Sequence, residues 1–246
     1  MKKLVYLLLF VACSMAVVSC QSNLPDYENL SKEELTKLHN NGDVEATLQL
    51  GRLYIHEMNI DYAKSYFKEV AKKANPKGFH NLAIVNFAQG EIDEGIANLE
   101  KAIDLGFESS KGVLAWILVS NPNKGRYEEG LKLAEESASK GSKNGFSALV
   151  TNKIAQGHEH IAEGDEVDTN FKKAIEAGSS TCLVGYFICM ENGGWPAEDI
   201  IEEIRIYQSK YPKLVGDIIA YCNGDKSSLN TPFYEQGFLL IEDMME

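Results

Sequence analysis

Positive charge is scarce in this chain. Its 246 residues include 24 lysines and arginines against 36 aspartates and glutamates, which gives a formal net charge of -12 at pH 7. Nucleic acids and anionic lipid surfaces are bound through clustered lysines and arginines that displace counterions. The acidic balance therefore argues against nucleic acid and against direct adsorption to a lipid surface.

Long apolar runs are also lacking beyond the N-terminus. Lys2 and Lys3 precede an almost wholly apolar run at residues 4–18, which is too short for a comfortable span of ~20 residues. The small residue Ser19 then precedes Cys20. Since no later stretch is long and apolar enough to cross a bilayer, we expect the rest of the chain to be a soluble body.

This N-terminal pattern resembles the signal of a bacterial lipoprotein. The resemblance implies a cleaved signal peptide at residues 1–19, a lipid such as palmitate on Cys20, and acyl chains that hold the protein on a membrane of the cell envelope. Gln21 stands where an aspartate would resemble an inner-membrane retention signal, so the outer membrane is favoured. Loss of Lys2 and Lys3 would move the net charge from -12 to -14. An ordinary secretory signal and an uncleaved anchor remain as alternatives.

Cysteine is scarce as well. If Cys13 leaves with the signal and Cys20 carries lipid, three of the five cysteines remain, and an odd number cannot pair completely. Cys182 and Cys189 lie seven residues apart on one predicted helix, about 10 Å along its axis, which is too far for a disulfide. We interpret them and Cys222 as small buried apolar residues, with a bond from Cys222 to one of the others as the alternative.

Catalytic motifs are absent from the sequence. There is no G-x-S-x-G, no H-E-x-x-H and no phosphate-binding glycine loop. The segment from His158 to Asp168 contains two histidines and five carboxylates, a set that could hold a divalent metal. However, His158 and His160 are two residues apart, which does not place them on one helical face, and the acids fit no calcium-loop spacing. A solvated acidic loop is the favoured interpretation, without metal or cofactor.

The chain does contain an internal repeat. Segments aligned on their second helices close at positions 74, 106, 141 and 178, which are separated by 32, 35 and 37 residues. A new helix is predicted to begin four residues after each closing position, with Ala46 as the matching residue of the first unit. Each of these helices contains a pair of residues at the same position, and in most units a large residue is followed by a small one. The pairs are Leu50-Gly51, Leu82-Ala83, Leu114-Ala115, Leu149-Val150 and Tyr186-Phe187.

These pairs predict helices that pack closely. A small residue lets the two helices of a hairpin approach each other, and each hairpin leaves an apolar face that the next one covers. Gly51 and Ala83 are predicted to lie in such close contacts. The second helices share one apolar stripe at helical spacing, formed by Phe67, Leu99, Ala134, Phe171 and Ile204.

The repeat resembles the tetratricopeptide superfamily, and the glycines that end units two to four resemble its Sel-like branch. The resemblance covers residues 43–212 and implies an all-α fold, a right-handed α-solenoid of five to six antiparallel helix hairpins. A degenerate sixth hairpin is expected at residues 214–246, with Ile219-Ala220 as its pair and a last helix that starts at Thr231-Pro232. We divide the chain into a signal at 1–19, a tether at 20–30 and a repeat domain at 31–246.

Two helix starts are marked by capping residues. Ser31 and Glu34 have the spacing of a capping box and predict a short helix at residues 32–40. Asp43 is predicted to cap the first helix of the first repeat.

The resemblance also places the first helix of each hairpin along a concave groove. The predicted partner-binding residues on that groove are Arg52, His80, Ile84, Phe87 and Trp116. Because exposed apolar patches commonly mark binding surfaces, these residues predict a docking site for a protein. In the alternative, an array of short helices tucks the same side chains into its core.

Two functions therefore compete. The first is a non-enzymatic, membrane-anchored adaptor or scaffold that binds a protein or peptide in the bacterial envelope. The second is a metal-dependent envelope enzyme or module that uses the loop from His158 to Asp168. We favour the adaptor, because the sequence contains no catalytic constellation.

Overall fold

A computed structural model describes residues 26–122, 125–157, 161–225 and 227–229. The signal segment, Cys20 and the last predicted helix from Thr231 lie outside these residues. Within them the chain forms twelve α-helices and a short 3-10 helix at Tyr27–Asn29, and no strand. None of the described helices is long and apolar enough to cross a membrane.

The helices are 9 to 13 residues long and follow one another closely along the chain. In chain order they are α1 Lys32–Asn40, α2 Val44–His56, α3 Ile60–Lys72, α4 Pro76–Ala88, α5 Ile92–Asp104, α6 Ser109–Ser120, α7 Tyr127–Ser139, α8 Lys143–Ala155, α9 Glu166–Glu176, α10 Ser180–Asn192, α11 Ala197–Arg205 and α12 Pro212–Cys222.

Both predicted caps are confirmed. The Ser31 side chain accepts a hydrogen bond from the Glu34 backbone N–H, and the Glu34 carboxylate accepts one from the Ser31 N–H, which closes a capping box at the start of α1. Asp43 accepts a hydrogen bond of 2.9 Å from the Ala46 N–H at the start of α2.

Helices that are consecutive in the chain pack against each other, and α6 also packs against α8 two helices later. This pattern fits a stack of helix hairpins, as the repeat predicts. The first helices of the five units begin within two residues of their predicted starts, at α2, α4, α6, α8 and α10.

Residues with a left-handed backbone conformation, that is, a positive φ, lie at the ends of the helices. In the first units it recurs every sixteen residues, at Gly42, Met58, Ala74, Gly90 and Gly106, all of which have positive φ. A residue with positive φ ends a helix and turns the chain into the next one. All four predicted closing positions, 74, 106, 141 and 178, adopt this conformation, so the repeat frame read from the sequence coincides with the turns.

Close contacts between hairpin helices are confirmed. A Cβ built on Gly51 would lie 2.3 Å from the Phe67 ring, and one built on Gly95 would lie 2.1 Å from the Phe87 ring. Ala83 is completely buried. A larger side chain at the two glycines would push the paired helices apart. The shared stripe of the second helices is buried throughout, at Phe67, Leu99, Ala134, Phe171 and Ile204.

The buried residues form two large clusters. The first extends from Leu48 to Ala148, and the second from Val150 to Ile218. In α12 the fully buried residues are Val215 and Ile218, whereas the predicted pair Ile219-Ala220 is only half-buried. Leu149 of an earlier pair is half-buried as well, and the helix expected to pair with α12 starts at Thr231, outside the described residues, so the register of this hairpin stays a prediction.

Candidate binding site

The predicted groove residues lie mostly in the core. His80, Ile84, Phe87 and Trp116 are at most 3% exposed, and Arg52 is half-buried. The sequence left open whether His80, Ile84, Phe87 and Trp116 line an exposed groove or pack in the core, and the structure shows that they pack in the core. The cause is the stacking of the array, because α6 is covered by α7 and by α8, and the Phe87 ring of α4 lies on Gly95 of α5.

The polar atoms of these residues join neighbouring units. His80 Nδ1 lies 2.9 Å from Ser110 Oγ, and the imidazole meets the Phe107 ring edge-on at 5.1 Å. Trp116 Nε1 donates a hydrogen bond of 3.1 Å to Thr151 Oγ1. Buried polar groups need such partners, so these contacts stabilise the stack of α4, α6 and α8.

On the repeat resemblance, further residues of the first helices would face the same groove, and these have mixed exposure. His56 is exposed, and Val184 and Ile188 are half-buried. The remaining ones are buried: Leu48, Ile55, Val119, Ser147, Thr151 and Ile154.

The acidic segment before α9 is not simply a solvated loop. His158, Glu159 and His160 lie outside the described residues. Asp165 caps α9 and accepts a hydrogen bond of 2.7 Å from the Asp168 N–H. The interpretation as a solvated loop is wrong for Asp168, which is 2% exposed because Tyr186 and Lys172 enclose its carboxylate. Among the described residues no group of three histidine, cysteine or acidic side chains could hold a metal ion.

Asp168 belongs to a polar cluster between α9, α10 and α11. The Tyr186 hydroxyl donates to Asp168 and lies 3.1 Å from Glu203 Oε1. Lys172 Nζ lies 3.2 Å from Asp168 and 2.8 Å from Glu203. These four side chains clamp three helices together, and the sequence reasoning missed them because they meet only after folding.

The tyrosines of this region are held in their protonated form. Burial and the hydrogen bond to Asp168 raise the pKa of Tyr186 far above its ordinary value. Burial raises the pKa of Tyr207 to about 12, and among the described residues its buried hydroxyl has no hydrogen-bond partner. Burial lowers the pKa of Lys172, but hydrogen bonds to Glu203 and Asp168 outweigh this effect and raise it overall. At neutral pH Tyr186 is therefore a neutral phenol and Lys172 a charged ammonium.

The three cysteines of the repeat domain lie in α10 and α12. Cys182 and Cys189 are buried, as predicted, whereas Cys222 is half-buried. Cys182 Sγ lies 3.1 Å from Ser147 Oγ of α8, so this thiol packs between neighbouring units.

A cleft of about 740 Å³ lies beside the polar cluster. Its lining combines an aromatic ring, an exposed aliphatic side chain and four carboxylates. The lining residues are Glu163, Gly194, Trp195, Pro196, Asp199, Glu202, Glu203 and Ile206.

The charges of this cleft are largely uncompensated. Glu203 pairs with Lys172, but Glu163, Asp199 and Glu202 have no lysine or arginine within 4 Å in the part of the chain that the structure describes. The sequence signal for the cleft was the loop that contains Trp195 followed by an acidic amphipathic helix, α11, whose apolar face carries Ile200 and Ile204. Ile206, just past that helix, is exposed, whereas the equivalent positions of the earlier units carry charged residues: Glu69, Lys101, Glu136 and Lys173.

A smaller recess of about 260 Å³ lies near the starts of α6 and α8. Its surface charges are paired. Lys140 Nζ lies 2.8 Å from Glu108, and Lys111 Nζ lies 2.8 Å from Glu136. Hydrogen bonds from Lys111 and Lys140 lower the pKa of Glu136 to about 2. These ion pairs join successive units and leave little net charge for a ligand.

No protein-family model matches the chain, and no curated protein matches it.

Proposed function

We propose that this protein is a lipid-anchored adaptor of the bacterial cell envelope. Lipid on Cys20 would hold the N-terminus at a membrane, with the outer membrane favoured, and residues 20–30 would serve as a tether. The repeat domain would then be a right-handed solenoid of five to six Sel-like hairpins that binds a protein or peptide. The proposal includes no enzymatic activity and no cofactor.

The proposal is carried by the cleft beside α11. In a stacked-helix body each hairpin packs against its neighbours. On that body the cleft presents a half-buried aromatic residue, Trp195, and an aliphatic one, Ile206, which is 67% exposed. Accessible aromatic and aliphatic side chains of this kind are typical of protein-binding sites.

The polar cluster supports the same function in a different way. Hydrogen bonds and ion pairs across three helices join the side chains of Asp168, Lys172, Tyr186 and Glu203. They act as structural support below the cleft and hold Glu203 at its wall. Preorganised side chains reduce the entropy lost on binding, which suits a recognition surface.

Cross-linking in the intact envelope tests the adaptor. The full chain, tagged at its C-terminus, is cross-linked in its native membrane before solubilisation, with an unrelated lipid-anchored protein as the control. We expect discrete adducts with a specific envelope protein that the control does not form. If the tagged chain is recovered only by itself, the adaptor proposal fails. A rise in melting temperature on titration with zinc or calcium would instead favour the metal-dependent alternative.

A further inference from the structure

We infer that the cleft beside α11, lined by Trp195, Asp199, Glu202, Glu203 and Ile206, binds a basic segment of a protein partner. The segment would combine arginine or lysine with a neighbouring apolar side chain. This inference rests on the proposed adaptor function and names the site and the chemistry of its partner.

The aromatic wall of the cleft is held in place. Trp195 follows Gly194, whose φ of +76° turns the chain out of α10, and its backbone N–H donates a hydrogen bond of 3.1 Å to Met190. The indole packs against the second core cluster and remains half-buried. A fixed indole with an accessible face attracts guanidinium and ammonium groups through its π system.

The carboxylates give the cleft its preference for cations. Asp199 and Glu202 are exposed, and together with Glu163 they have no basic neighbour within 4 Å among the described residues. Like charges around one recess repel each other and focus a negative potential there. Because the whole chain also carries a net charge of -12, a basic partner is attracted both at the site and from a distance.

The exposed Ile206 adds an apolar requirement. It is the most exposed large hydrophobic residue that the structure describes, at 67%, and it lies at the rim of the cleft just after α11. A partner side chain that covers it removes apolar surface from water, which favours binding. A purely polar cation would leave the Ile206 side chain exposed to water. The matching segment therefore carries an aliphatic or aromatic residue next to its basic one.

Charge also decides between this occupant and the chain's own C-terminal segment. The C-terminal segment from residue 230 contains Glu235, Glu242, Asp243 and Glu246 and no lysine or arginine, so the cleft would repel it. A second copy of this acidic chain would likewise approach against its net charge. A basic foreign segment is the occupant that the electrostatics favour.

Peptide binding to the purified full chain tests the inference. The probe is a fluorescein-labelled decapeptide of alternating arginine and leucine, and its fluorescence anisotropy is measured during titration with the protein. Matched decapeptides replace arginine by glutamate or leucine by serine. We expect the arginine–leucine peptide to bind, the glutamate peptide not to bind, and the serine peptide to bind more weakly. Raising the salt concentration roughly tenfold should weaken binding, because exposed charge pairs are screened.

Charge-neutral variants locate the binding site. In the double variant Asp199→Asn/Glu202→Gln, affinity for the arginine–leucine peptide should fall about tenfold. The matched control is Asp104→Asn/Glu128→Gln, which removes the same charge from exposed residues of α5 and α7 and should change affinity less than about twofold. Equal affinities of the two double variants would overturn the site, and binding of the glutamate peptide would overturn the partner chemistry.

Two further outcomes separate this inference from the adaptor function. If cross-linking in the envelope captures a partner but the basic peptide does not bind, the adaptor stands and the cleft assignment fails. If the peptide binds in the cleft but no envelope partner is captured, the adaptor fails and the site stands. Concentration-dependent dimerisation that is abolished by Ile206→Ser, or competition by a peptide of residues 230–246, would replace the foreign segment by a self-derived occupant and so overturn the inference.

Discussion

Ala74 holds a backbone conformation that its side chain disfavours. Its φ is +55°, whereas the equivalent closing residue of the next unit is Gly106 with φ of +88°. For an L-residue with a Cβ, this left-handed conformation costs roughly 1–2 kcal/mol of conformational free energy, whereas glycine adopts it without that cost. The larger entropy of glycine in the unfolded chain offsets part of that gain.

We therefore predict that Ala74→Gly raises the free energy of unfolding by ~0.5–1 kcal/mol. The reciprocal change, Gly106→Ala, should lower it by ~1 kcal/mol, since a Cβ there meets no atom within 4 Å and only the backbone strain remains. Urea unfolding of the three proteins measures both changes. If the two substitutions shift stability in the same direction, the equivalence of these two turns is wrong.

Gly51 and Asp168 show which contacts can and which cannot be predicted from the sequence. The place of Gly51 in a repeated pair predicts a helix contact, and the Phe67 ring does lie against it. The sequence around Asp168 predicts a solvated loop, because nothing in a linear sequence shows that Tyr186 and Glu203 converge on this carboxylate from two other helices. Local patterns predict contacts within a repeat, but a cluster built by three elements requires the fold.

At the scale of elements, burial of the first helices follows from their position in the stack. The repeat period predicts to within two residues where α2, α4, α6, α8 and α10 begin, and Asp43 is the predicted cap of α2. The same periodicity could not tell a groove from a core, because an aromatic residue at helical spacing fits either. The outcome depends on how closely α6 approaches α8, which neighbouring side chains decide through packing.

Phe87 and Trp116 provide the test at this scale. Since both are nearly completely buried, Phe87→Ala should lower the free energy of unfolding by ~3–5 kcal/mol through lost burial and the cavity left behind. Ile206→Ala, which shortens a side chain that is 67% exposed, should change it by less than ~0.5 kcal/mol. Urea denaturation compares the two variants.

Tryptophan emission gives an independent reading of the same question. In a Trp195→Phe background the remaining indole is Trp116, and its native emission should be blue-shifted and move to longer wavelength on unfolding. A native emission typical of indole in water, together with a small effect of Phe87→Ala, would show that α4 and α6 expose these rings.

At the scale of the whole molecule, charge and attachment combine. The net charge of -12 keeps the acidic repeat domain away from anionic lipid surfaces, so electrostatics alone would not bring it to a membrane. A lipid on Cys20 would supply that attachment through the hydrophobic effect, at ~0.8 kcal/mol for each buried methylene. Tyr27 and Leu30 pack against the core of the repeat domain, so only the part of the predicted tether before Tyr27 would separate the domain and its cleft from the membrane surface.

The attachment is tested by changing one thiol. We predict that Cys20→Ala abolishes acylation and releases the protein from the membrane fraction, because only a thiol at that position can accept the lipid. Metabolic labelling with a clickable fatty acid, followed by fractionation, measures both effects. Cys222→Ala serves as the control, since this thiol is half-buried in the repeat domain, and it should leave the label unchanged. Undiminished labelling of the Cys20→Ala protein would contradict the lipoprotein assignment, and the basic-peptide binding of the cleft would then have to act without a membrane anchor.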